Sequence, residues 1–168
     1  MSGYTISIAE EYEGIIRTSV VYDPEHNELF HAIRGAGAFR NGIQIKTSEL
    51  GDISQALVSC DWGNKDEKRK EGLEYFKKLM LPFMIARRII PQFAPANDLV
   101  RIAEGRIHVL VCNDTWIEDH AAGSLIVQEA GGYVTNFYDR NDFTHNSPGI
   151  IATANKKIWD ALCGTLFS

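Results

Sequence analysis

Asp119 is the acid that the surrounding residues single out. It stands at the mouth of a helical segment running from Trp116 through Ile117, Glu118, Asp119, His120, Ala121, Ala122, Gly123 and Ser124 to Gly131 and Gly132. A carboxylate at a helix start can accept backbone N–H groups as a cap. With Asp114 and His120 nearby in sequence it could also form part of a metal cluster, and the spacing alone leaves both open. Ala121, Ala122 and Gly123 carry almost no side chain, so the first turns can approach neighbouring backbone closely. Leu125, Ile126 and Ala130 can share a buried stripe, and Gly131-Gly132 supply a left-handed stop. Glu118 is a first-turn acid that the helix dipole favours.

Other reactive residue types offer less. Asp61-Trp62-Gly63-Asn64 form a polar loop after a strand, a usual place for ligand contact in α/β proteins but also an ordinary surface turn. His26, His31, His108 and His145 have no ligand spacing. Ser59, Ser124 and Ser147 lack the setting of a nucleophilic serine. Cys60, Cys112 and Cys163 are odd in number and widely spaced, which predicts reduced, buried thiols rather than a disulfide framework or a zinc site.

The elements that must position these residues follow from the pattern. Residues 4–9, 15–22 and 28–34 predict antiparallel strands, with the turn Asp23-Pro24-Glu25-His26-Asn27 joining the last two. Asn41-Gly42 predicts a second, tight hairpin. After about residue 51 strands and helices alternate: strands at 56–60, 85–90, 107–111, 133–136 and 149–153, helices at 65–80, 97–104, from Asp119 onward, and at 156–167. In the 65–80 helix Leu73, Phe76, Leu79 and Met80 are expected inward; in the last helix Ile158, Leu162 and Leu166 share a face. The predicted fold class is therefore mixed α/β (α+β), with antiparallel strands over about 1–50 and an α/β half over 51–168, all in one domain spanning 1–168.

At 45% hydrophobic and 23% charged, the 168 residues have the make-up of an ordinary globular protein, and a net charge of −5 gives no reason to expect nucleic acid or a membrane as partner. No signal-peptide or membrane-spanning pattern is present, and a cytoplasmic location is expected.

Asp119-His120-Ala121-Ala122-Gly123 followed by Glu129-Ala130-Gly131-Gly132 resembles the C-terminal signature of the inositol monophosphatase family of magnesium-dependent, lithium-sensitive phosphatases. Three further stretches resemble that family in its order. They are Val20-Val21-Tyr22-Asp23-Pro24 with Glu28-Leu29-Phe30, then Gly35-Ala36-Gly37-Ala38-Phe39-Arg40-Asn41-Gly42, then Asn97-Asp98-Leu99 with Ala103-Glu104-Gly105-Arg106. The resemblance implies a partial layered sandwich of that family's fold and hydrolysis of a small phosphorylated polyol or sugar such as inositol phosphate. It implies Mg2+ as cofactor with Asp119 as a metal ligand. By the same resemblance the backbone at Ala96 and the Glu118 side chain are candidate substrate contacts.

Other parts of the family's pattern are missing. Its paired-glutamate and Asp-Pro-x-Asp-Gly-Thr motifs, which carry the remaining metal ligands, do not occur in this sequence; Asp23-Pro24 is followed by Glu25-His26-Asn27. Glu118 stands where the family has Trp before the aspartate, and Phe93-Ala94-Pro95 replace the usual Gly-Ser or Gly-Thr. The chain is accordingly expected to match the C-terminal part of such an enzyme, to lack a catalytic residue set of its own, and to be inactive alone. The alternative is a non-catalytic remnant that binds or oligomerises. A homo-oligomer, or pairing with a complementing N-terminal fragment, is expected because Ile6, Ile8, Val20, Phe30 and Ile33 should lie near an uncovered surface.

Overall fold

The computed structural model describes residues 4–62, 66–83, 87–91, 94–141, 143–144 and 146–166. Five strands, β1 (Ile6–Tyr12), β2 (Ile15–Asp23), β3 (Glu28–Ile33), β4 (Gly37–Arg40) and β5 (Ile43–Ile45), form an antiparallel meander in sequence order. Its turns are where local chemistry puts them. Asn41 and Gly42 both take positive φ, 50° and 79°, which a two-residue hairpin with the twist of its strands requires.

The second sheet contains β6 (Leu57–Asp61), β7 (Arg88–Pro91), β8 (Val109–Cys112), β9 (Tyr133–Asn136) and β10 (Ile150–Thr153), in the order β7-β6-β8-β10-β9. β7, β6 and β8 run parallel, and β10 is antiparallel to both β8 and β9. Four α-helices complete the fold: α1 (Asp66–Phe83), α2 (Pro95–Ala103), α3 (Ile117–Glu129) and α4 (Lys156–Leu166).

Alternation along the strands assigns the layers. Leu110, Cys112, Ile150 and Ala152 belong to one core with α2, α3 and the inner face of the meander, including Val21, Phe30, Ala32 and Ala38. Val58, Cys60, Val109, Val111 and Ile151 belong to another, with Ile158 and Leu162 of α4. The helices α2 and α3 are thus sandwiched between two sheets. Leu125, Ile126 and Ala130 are buried as their spacing predicts, and Gly131 has φ 96° past the helix end. Arg101 of α2 pins the β2–β3 hairpin by pairing with Asp23 at 3.2 Å and Glu28 at 2.8 Å.

Several expectations are corrected. Phe30 is fully buried, because its strand face is the one covered by α3. Leu73 is 52% exposed rather than inward. Cys163 is only half-buried. The side chains of Phe76, Leu79, Met80 and Leu166, together with Gly63, Asn64, Phe93 and His145, lie outside the described residues. Among those described, no helix is long and apolar enough to cross a membrane.

The meander's outer face matches expectation more closely. Ile6, Ile8 and Ile33 are each at least half exposed, and the cross-strand row Ile8–Val20–His31–Phe39 lies on that face. An apolar sheet face open to water favours association. Light scattering is expected to report a dimer or larger species, shifting to a defined smaller complex when a complementing fragment is added. A well-behaved monomer unaffected by that fragment would contradict this.

Candidate functional site

The parallel strands β6 and β8 end side by side, with Asp61 in register with Cys112. Helices α2 and α3 pack against each other. Asp61 at the end of β6 is within electrostatic reach of two further carboxylates from separate elements, Asp98 in the first turn of α2 and Asp119 in the first turn of α3.

Their environments raise the cost of ionisation. Burial pushes the Asp61 carboxyl up to about 6, and the charge of Asp119 adds to this, against the Trp62 N–H that donates to Asp61 Oδ1 at 2.7 Å. Asp98 is 1% exposed, and burial, with the charge of Asp61, pushes it up to about 7. Ser59, two residues before Asp61 on the same strand face, donates to Asp98 Oδ2 at 2.7 Å and partly offsets that rise. Burial is the larger cause in both, and the like charge of a neighbouring carboxylate adds to it.

Asp119 is half-buried in the third position of α3, and the helix N-cap is Trp116. The Trp116 N–H donates to Asp119 Oδ2 at 3.4 Å, a long bond that makes Asp119 the N3 acceptor of the helix cap and leaves Oδ1 for another partner.

The loop carrying it is braced from outside. Tyr138 Oη donates to the Asn113 carbonyl at 2.7 Å, Asn113 Nδ2 donates to the Lys68 carbonyl at 3.1 Å, and Thr115 N donates to the Pro148 carbonyl at 3.1 Å. Lys68 Nζ in turn reaches Tyr138 Oη at 2.5 Å and Glu71 at 3.1 Å.

The other expected site residues fall around this group. Glu118 is exposed and lines a groove of about 240 Å3 with Glu11 of β1 and Ala122 of α3. Ala96 lies two residues before Asp98 and is 8% exposed. His120 is buried edge-on against Phe143, ring centroids 5.0 Å apart. Among the described residues no group of three or more His, Cys, Asp or Glu side chains is spaced to hold a metal, so Asp114, Asp119 and His120 do not form the cluster their spacing allows. Cys60 is pushed up to about 12 by burial and stays a protonated, inert thiol.

Comparison with known proteins decides the family. The profile of the inositol monophosphatase family matches residues 2–167. The chain belongs to that family. It is 32% identical over 166 residues to the Nus factor SuhB of Pseudomonas aeruginosa, covering 97% of this chain and 59% of that protein. The solved structure of inositol monophosphatase from Anabaena (Nostoc) is 29% identical, with a TM-score of 0.86 over 97% of this chain and 63% of that one. The extragenic suppressor protein suhB from Bartonella henselae is 30% identical, also with a TM-score of 0.86, over 96% and 60%. The chain therefore spans less than two thirds of the length of these relatives.

Members of this family are generally magnesium-dependent, and magnesium demands a near-octahedral shell of about six oxygens. Asp119 and Asp61 can contribute carboxylate oxygens, whereas Asp98 is 1% exposed and bonded to Ser59. The described side chains do not complete such a shell.

Proposed function

We propose that this chain carries one part of a magnesium-dependent phosphomonoesterase site for a small phosphorylated polyol or sugar, inositol phosphate or a relative of it. In this reading Asp119 is one metal ligand, the backbone at Ala96 and the Glu118 carboxylate face the substrate, and 1–168 acts as a single unit. The observation that supports it is the pairing of Asp119, in the first turn of α3, with Asp61 at the end of β6, whose carboxyl is pushed up to about 6 by burial and by the charge of Asp119. The remaining ligands belong to the paired-glutamate and Asp-Pro-x-Asp-Gly-Thr motifs that this sequence does not contain. A cytoplasmic setting is part of the reading, supported by three free cysteines.

A second reading is a non-catalytic binding or oligomerisation module. Two observations favour it: the incomplete ligand set, and relatives at about 31–32% identity that carry the name Nus factor.

Purified chain alone is expected to show no turnover of inositol monophosphate. Mixed with a polypeptide supplying the two missing motifs, it should show magnesium-dependent, lithium-sensitive turnover that Asp119→Ala abolishes. Complex formation without any turnover would favour the second reading. Turnover by the chain alone, lost in Asp119→Ala, would show that its own residues replace the missing ligands.

A further inference from the structure

Further along α3 a second cavity, of about 410 Å3, opens between the β1–β2 turn, the end of β3 and the helix at Ser124 and Gln128. Gln128 lies nine residues after Asp119, about 13 Å along the helix axis, so this cavity is distinct from the acidic group.

Its charged lining is two arginines, Arg17 and Arg34. Arg34 is held in place: Nε donates to the Ile16 carbonyl at 2.8 Å, and Nη2 lies 3.4 Å from Gln128 Oε1. Among the described residues neither guanidinium has a carboxylate partner. The nearby acids are engaged elsewhere. Glu129 accepts from the Gly35 and Gly37 amides at 2.9 and 3.0 Å, and Glu11 accepts from the Gly14 amide at 3.2 Å. Two exposed arginines without a carboxylate partner among the described residues thus line one cavity, in a chain of net charge −5. Ile16, Val134 and Phe143 give the same cavity an apolar lining.

We propose that this cavity binds a small organic anion, with a phosphate or carboxylate group against Arg17 and Arg34 and an apolar or aromatic body against Ile16, Val134 and Phe143. Guanidinium forks match the paired oxygens of both anion types, with hydrogen bonds stronger than neutral ones. The apolar lining adds affinity in proportion to the area it covers. The site is independent of the metal reading for Asp119.

Calorimetric titration of the purified chain with phenyl phosphate, benzoate and inorganic phosphate tests this. Saturable binding of at least one phenyl ligand is expected, about tenfold or more tighter than inorganic phosphate. Phenyl phosphate binding more tightly than benzoate would assign the phosphate class, and the reverse order the carboxylate class. Arg17→Ala and Arg34→Ala should each weaken binding at least about tenfold, while Asp119→Asn should leave it unchanged. Arg17→Ala is the decisive variant should Arg34→Ala fail to fold, because the Arg17 side chain makes no hydrogen bond or ion pair among the described residues. The proposal is overturned by the absence of saturation into the tens of millimolar, by binding that Arg17→Ala leaves intact, or by loss of binding in Asp119→Asn.

Discussion

Asp98→Asn is expected to stabilise the folded chain by a few kcal/mol at pH 8 and to leave it nearly unchanged at pH 4. Burial pushes this carboxyl up to about 7, from 3.8 for an ordinary aspartate. Below about pH 4 both folded and unfolded chains hold the proton, and ionisation costs nothing. As pH rises towards 7 the unfolded chain ionises while the folded one keeps its proton, so stability falls across that window and then levels off. Each unit of separation is worth about 1.4 kcal/mol, which sets a ceiling of about 4 kcal/mol for a separation of roughly three units. Asparagine removes the charge and keeps an oxygen to accept the Ser59 hydroxyl, now 2.7 Å from Asp98 Oδ2. Urea titrations of both proteins at pH 4, 6 and 8 measure the difference directly. A variant less stable than the parent at every pH would show that the ionised carboxylate stabilises the fold.

Gly149→Ala is expected to cost about 1–3 kcal/mol or more, by overpacking against atoms that cannot rotate away. A Cβ at this position would lie 2.7 Å from the Cys112 carbonyl oxygen and 3.0 Å from the Asn113 carbonyl carbon and oxygen, all of them backbone. The strain falls at the end of β8, where the loop to Asp119 begins, so the substitution should disturb the acidic group as well as stability. Gly164 in α4 is the control, since a Cβ there meets nothing within 4 Å. Alanine at Gly164 should be neutral or stabilise by up to about 1 kcal/mol, as expected for an exposed helix interior. Thermal unfolding should therefore separate the two variants by several degrees, and equal melting temperatures would contradict the packing argument.

The elements that could be read from the sequence are those specified within a few residues. Asn41-Gly42 needs only its own backbone to define a hairpin, and Leu125, Ile126 and Ala130 need only helical spacing to share a face. Alternation along a strand does not say which side the helices will cover, so Phe30 reads as near the uncovered face in the sequence and is buried in the structure. A register shift between Glu10 and Glu11 further breaks the alternation in β1. Spacing alone predicts Leu73 inward, and the structure leaves it half exposed. In the acidic group, Asp119 was legible from its family signature. Asp61 resembled a turn acid and Asp98 a scaffold position, because their meeting depends on how β6 and α2 pack. Asp98 sits in the first turn of α2, where an acid is ordinary, so no local sign marks it as unusual.

Magnesium titration of the purified chain and of Asp119→Asn, by calorimetry at neutral pH, tests most directly whether Asp119 belongs to a partial metal site. The parent is expected to bind with no better than millimolar affinity, as suits an oxygen shell lacking most of its ligands, and Asp119→Asn should remove that binding. Micromolar binding that persists in Asp119→Asn would contradict the assignment.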